Sequence, residues 1–245
     1  MTTSTMSHTV KGMGRHYTSP LTGAEGPSVT NITSLPDKPA IAWWQTKGAL
    51  RAAWEDREAF SRMQDVETAI KAYQSAAFKS RDKAADVGTD VHAVCEALAG
   101  DGDLPGLYRA EARPFVDQFL KAVSALDIDP VEVERSVWNE TYAYGGTFDL
   151  YARLGGVRTL IDLKTGKGVY DEAAWQLAGL NAGEVYADDG QPFRPAERLC
   201  VLHLTPESWA LHEVVDPSLA LTTFLGLRRA WDGIKAGRAL AEVPA

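Results

Sequence analysis

Asp149, Asp162 and Lys164 stand in stretches that otherwise read as β-strand, "GGTFDLYARL" (145–154) and "VRTLIDLKT" (157–165). Aspartate is depleted in strands, so two of them in such a setting ask for a chemical reason. Gly155–Gly156 is a two-residue hairpin turn signal. If those glycines form the turn, Leu154 pairs with Val157 and Asp149 falls opposite Asp162, with Cβ atoms ~5 Å apart. Two ionised carboxylates at that distance repel each other. A shared proton, a basic side chain or a metal ion must compensate, and oxygen-rich ligand sets suit Mg²⁺ or Mn²⁺. Lys164 is two strand residues beyond Asp162, ~6.6 Å along, where it can hold a water or a phosphate oxygen. Glu140 adds a third carboxylate from the preceding stretch, "VEVERSVWNETYAY" (131–144). A turn centred on Tyr144–Gly145 puts Glu140 opposite Asp149. One centred on Gly145–Gly146 shifts it by a pleat, and both keep it on the Asp149 face. The chemistry this set suits is metal-assisted hydrolysis of a phosphodiester.

These residues need a sheet, and the sheet needs cover. Phe148, Leu150, Ala152, Ile161 and Leu163 alternate with the site residues, so that face is expected on the core. Ahead of the strands, helical patterns run through "AIAWWQTKGALRAAWEDREAFSRM" (40–63), 65–84, "GTDVHAVCEALAG" (88–100) and about 108–126. In 88–100, Val91, Val94, Cys95 and Leu98 form one stripe, Thr89 or Asp90 can cap the start, and Gly100 can end it. Trp43, Trp44 and Trp54 lie at helical spacing and read as core rather than as stacking platforms for bases. After the hairpin come a helix over 171–187, a strand pair joined by a turn at Thr205–Ser208, and a helix over 217–240. Residues 1–27, rich in Thr, Ser and Gly, read as a flexible N-terminal arm, and 28–245 as a single domain with a helical N-terminal part. The plan is α/β, a central mixed sheet flanked by helices.

The net charge is −8 over 245 residues. This argues against coating nucleic acid through bulk charge, but leaves room for a local basic path. Lys47, Arg51, Lys79, Arg81, Lys83 and Lys167 are candidates for that path, and Lys167 stands out because "KTGKG" places it just past the site. No apolar run is long enough to span a bilayer, and the first residues lack the apolar core of a secretory signal. Cys95 and Cys200, without CxxC spacing, fit a reducing cytoplasm. No GxxxxGK[ST] loop is present, so strand separation would need a partner such as a helicase. His8, His16, His203 and His212 show no partner pattern.

Taken in order, "GTDVH" (88–92), Glu140, "GGTFD" ending at Asp149, "IDLKTG" with Asp162 and Lys164, and Gln176 resemble the PD-(D/E)xK nuclease superfamily, in particular its RecB-like and phage exonuclease branch. The lead-in "PSVTNITSLPDKPAIAWW" is also similar to that branch, and the likeness covers roughly 27–215. The resemblance implies a restriction-endonuclease-like core. In it His92, Asp149 and Asp162 would be metal ligands, with the backbone carbonyl of Leu163. Lys164 would activate the attacking water, Glu140 would support the metal or its water shell, and Gln176 would contact the DNA backbone. Glu96, one turn beyond His92, is placed to orient its imidazole. Leu180 stands where the family often has a tyrosine, and two cysteines are too few for the iron–sulfur cluster of some members. The expectation is a Mg²⁺- or Mn²⁺-dependent deoxyribonuclease acting on DNA, an exonuclease of recombination, repair or phage replication. Partners of the branch include single-strand annealing proteins, and its rings make a homo-oligomer an open expectation. The rivals are a structure-specific endonuclease and an inactive nucleic-acid-binding module of the same fold.

Overall fold

The computed structural model describes residues 7–36, 39–100 and 108–235, with backbone alone for 39–42, 44, 75–84 and 235. The chain forms two compact units, Pro36–Asp90 and Met1–Leu35 with Val91–Ala245, in place of the single domain expected over 28–245. The 36–90 stretch separates because its helices supply one another's contacts, as where the rings of Phe60 and Tyr73 meet edge-on at 5.5 Å.

That helical unit holds α2 (Pro39–Glu55), α3 (Arg57–Arg62) and the first part of α4 (Val66–Ala99). The helix expected through 63 breaks at Asp56, and α4 runs straight through the start expected at Thr89–Asp90. Thr89 turns its hydroxyl back to the Ala85 carbonyl, 3.1 Å away, instead of capping a helix. Trp43 and Trp54 are not core: they are 64% and 75% exposed, and Lys47 sits over the Trp43 ring at 5.6 Å. The Trp44 side chain lies outside the described residues.

The other unit is built on a six-stranded mixed sheet in the order β7-β4-β5-β6-β8-β9. Its strands are β4 (Ile128–Asn139), β5 (Tyr144–Leu154), β6 (Val157–Lys164), β7 (Val185–Tyr186), β8 (Arg198–Leu204) and β9 (Trp209–Glu213). Only the β6–β8 pair is parallel, because α6 (Asp171–Asn181) carries the chain back between them. The helix expected over 171–187 ends at Asn181, and the chain passes close to Val137 at Gly183, where a Cβ would come 2.7 Å from Val137 Cβ, and joins the sheet as β7. The helix expected over 217–240 is α7 (Pro217–Lys235), and its last residues lie outside the described ones. The turn at Thr205–Ser208 forms as expected, with Thr205 N donating to Ser208 O.

Helices α6 and α7, with the short α1 (Val29–Thr33), cover one face of the sheet through Tyr144, Phe148, Leu160, Leu177 and Phe224. Tyr144 and Phe224 meet edge-on with centroids 4.9 Å apart. Fully burying such a side chain stabilises by about 1.5–3 kcal/mol. Helix α5 (Arg113–Leu126) lies along β4, β8 and β9, and Val91, Val94 and Cys95 of the α4 stripe are buried, while Leu98 is exposed.

Residues 7–27 are not an arm. They form a three-stranded antiparallel sheet of β1 (Ser7–Val10), β2 (Gly14–Thr18) and β3 (Glu25–Pro27). Their polar composition hid this, because their support comes from β5: buried Tyr17 hydrogen-bonds Thr147 Oγ1 at 2.8 Å, and Ser28 bridges to Gly145. Among the described residues no helix is long and apolar enough to cross a membrane.

Candidate functional site

The β5–β6 hairpin sets the site. Gly155 and Gly156 take φ values of +57° and +85°, which L residues adopt poorly, and so close the two-residue turn. The register runs from Leu154–Val157 to Leu150–Ile161, as expected from the glycine pair. There the ladder ends. The next inward donor of β6, Leu163 N, is taken by Asp149 Oδ2 at 2.7 Å. So Asp149 reaches across to β6 through its side chain rather than through a backbone pair.

Glu134 of β4 stands across from Asp149. The β4–β5 pairing passes over Glu134 and Asp149, and Glu134 has a left-handed φ of +49°. Phe148 and Tyr151 both enter the core beneath α6 and α7. The β4–β5 register itself is unbroken here and shifts only between Pro130 and Glu132.

The same register removes Glu140 from the site. Asn139 pairs with Tyr144, which makes 140–143 a four-residue turn instead of a tight turn at Tyr144–Gly146. Glu140 accepts hydrogen bonds there from the hydroxyls of Ser19 and Thr22 and anchors the β2–β3 connection. The carboxylate brought level with Asp149 is Glu134, which the sequence reading passed over. A longer β4–β5 turn was the one signal that would have found it.

His92, on the last turns of α4, places Nδ1 3.6 Å from Asp149 Oδ1. Burial works against a proton on the imidazole, but the hydrogen bond and charge of Asp149 outweigh it and raise the His92 pKa. Asp149 is shifted down: burial opposes ionisation, and His92 with the Leu163 N–H outweighs it. Asp162 goes the other way. It is 2% exposed, and burial, then the Asp149 charge, push it up to about 6 against the pull of Lys164 and His92. The two carboxyls thus divide the labour, one ionised and one ready to hold a proton. Lys164 Nζ lies 2.5 Å from Asp162 Oδ2, an ion pair between a part-exposed lysine and a buried acid.

Glu96 shares a hydrogen bond with Glu134. Desolvation, then the charges of Glu96 and Asp149, push the Glu134 carboxyl up to about 8. Its folded pKa is raised, so its favourable contribution is complete below the ordinary glutamate value and is lost as pH rises through about 8. Replacing Glu134 with glutamine should therefore flatten the fall in urea midpoint between pH 5 and 8, measured in chelator. An unchanged pH profile would remove Glu134 from this cluster.

Leu163 is buried with its N–H on Asp149. Lys167 is exposed in the loop after Lys164, and that loop is tied down by a hydrogen bond between His203 Nε2 and Gly166 O at 2.8 Å. Gln176 of α6 lines a small cavity of about 40 Å³ with Arg15, Ser28, Thr30 and Thr147. Leu180 is buried over Gly146, where an added Cβ would come 2.6 Å from Leu180 Cδ2. The side chains of Lys79, Arg81 and Lys83 lie outside the described residues, and Lys47 and Arg51 belong to the helical unit. Burial pushes the Cys95 thiol up to about 12, which makes it a packing residue rather than a nucleophile.

Among the described residues, no three His, Cys, Asp or Glu side chains converge as a ready metal-ligand group. His92 engages Asp149, and Lys164 engages Asp162. What fits a hard cation is the chemistry of the donors: two neighbouring carboxylates, Asp162 and Asp149, with Asp162 already matched to the cationic Lys164.

No family model matches the chain, and no curated protein matches it. A solved structure described as SSO0001 is 16% identical and covers 87% of this chain and 77% of its own, with a TM-score of 0.37. At that level the likeness carries no argument about fold or activity.

Proposed function

We propose that the chain is a Mg²⁺- or Mn²⁺-dependent deoxyribonuclease with a PD-(D/E)xK core, acting as an exonuclease. The observation that carries the reading is the buried carboxyl of Asp162, set beside Asp149 and ion-paired with Lys164. Two buried acids side by side cost stability in a purely structural role, because each resists the ionisation of the other. Asp162, Asp149, His92 and the Leu163 carbonyl would hold the ion. When bound, it would lower the pKa of its water and steady the charge developing on the phosphate. Lys164, which pairs with Asp162 here, would orient the attacking water. Its side chain is part-exposed, so it can swing without crossing the core. Gln176, Arg15 and Thr30 offer donors to the phosphates of a strand passing the cavity they line.

Labelled linear and circular DNA, incubated with Mg²⁺, Mn²⁺ or EDTA, test this directly. Loss of linear DNA alone supports the exonuclease, and cutting of circles would replace it with an endonuclease. Lys164→Gln should lower the rate by ~10²-fold or more, as expected for a group that acts on a developing charge. Binding without metal-dependent cleavage would point to the inactive nucleic-acid-binding module.

A further inference from the structure

The sheet unit carries a second large feature, a groove of about 630 Å³ beside the loop that follows Lys164. One wall is that loop, ending at Tyr170. The floor includes Trp175 and Val201, and the opposite wall is the lead into α7, with Val215 and Leu219. Tyr170, Val215 and Leu219 are 68%, 98% and 61% exposed. Large apolar side chains gathered on one open concavity mark an interaction surface rather than a packing residue of the core.

The charge of the groove says what it takes. Its charged lining residues are Asp171, Glu213 and Asp216, with no Lys or Arg among them. Glu213 is paired with Arg198 at 2.6 Å. Asp216 caps α7 by accepting from Leu219 N at 2.9 Å, and it keeps its negative charge. Asp171 stands in the first turn of α6. An anionic rim repels a phosphodiester backbone, so the groove is not a continuation of a nucleic-acid path. It complements cations on an apolar chain.

We infer that this groove docks a short segment of a partner protein, apolar at its centre and flanked by Lys or Arg. The volume lies within the range of sites that enclose a few side chains. His203 lines the groove, holds Gly166 O, and sits beside Lys164 in the β6–β8 pairing. A segment seated here therefore touches the loop that carries Lys167. The inference stands whether or not the neighbouring site cleaves DNA.

Fluorescence anisotropy on the full chain tests it. One labelled peptide carries a leucine–tryptophan–leucine centre with two lysines on each side, and a second carries glutamates in place of the lysines. The lysine peptide should bind the wild type at least tenfold more tightly than the glutamate peptide does. Asp171→Lys and Leu219→Glu should each weaken it at least tenfold. Asp117→Lys, an exposed charge change on α5, should leave it within twofold. Absence of binding by the lysine peptide would overturn the inference, as would equal weakening by Asp117→Lys, which would reduce the effect to bulk charge. Competition by a single-stranded oligonucleotide lost with Leu219→Glu would reassign the groove to nucleic acid. Self-association by light scattering, abolished by Leu219→Glu, would reassign it to a second copy of this chain.

Discussion

On the proposed nuclease reading, Asp162→Asn should abolish metal-dependent DNA cleavage, by ~10³-fold or more, and leave the metal-free fold as stable as the wild type or more so. The opposite signs follow from one cause. Asp162 is a buried carboxyl beside a second carboxylate, so its ionised form is resisted by the protein more than Lys164 and His92 favour it, and a bound cation would favour it further. Its folded pKa lies above its ordinary value of 3.8, at about 6. The sign of the linkage is then determined: the contribution of Asp162 is complete below about pH 4 and is lost as pH rises through about 6. Metal-free protein should lose part of its chemical stability over that interval, and Asp162→Asn should not. Adding Mg²⁺ or Mn²⁺ should restore the wild type at neutral pH and leave the variant unchanged, since a ligand of the native state alone stabilises it by mass action. A variant that keeps full cleavage would remove Asp162 from the reaction. A metal effect on unfolding that persists in the variant would move the ion elsewhere.

The second large effect is structural. Gly26→Ala should destabilise the sheet unit by about 3 kcal/mol or more, because the new methyl has no space to enter. A Cβ at Gly26 would lie 1.9 Å from the Ala143 carbonyl oxygen and 3.1 Å from the buried Trp138 ring. The carbonyl cannot retreat. Buried Arg228 of α7 holds it through Nη2 at 3.1 Å and holds the Tyr142 carbonyl through Nε at 3.0 Å. For a unit of this size the melting temperature should fall by ~2–4 °C per kcal/mol. Gly226→Ala is the control: it lies in α7 with open space around it, and should be neutral or mildly stabilising. If Gly26→Ala melts like the wild type, the first strands do not press on the β4–β5 turn, and residues 7–27 return to being an arm.

The hairpin was legible because Gly155–Gly156 is a local device. Two residues at positive φ leave one register, and that register carries Leu150 and Ile161 to the core and the aspartates to their end of the ladder. The stripe Val91–Val94–Cys95 was legible for the same reason, since helical period is written in consecutive residues. Glu134 was not. Its place beside Asp149 depends on the length of a turn four residues long, and that turn is held by Arg228 from 85 and 86 residues away. The partition into two units, and the exposure of Trp43 and Trp54, were equally out of reach, because a helical stripe gives the face that is apolar but not what that face meets.

The amino-acid sequence by itself determined the β5–β6 hairpin, the α/β plan and the nearness of Asp149, Asp162 and Lys164, all through short-range geometry: turn dihedrals and strand and helix periods. Only the tertiary structure decided which third carboxylate joins them, which way Asp149 turns, and that the polar first strands form a sheet against β5. Those outcomes rest on hydrogen bonds and close approaches between segments far apart in the chain, from Arg228 to the 140–143 turn, from Tyr17 to Thr147 and from Gly26 to Ala143. No local propensity encodes them, because each exists only once the distant partner is in place.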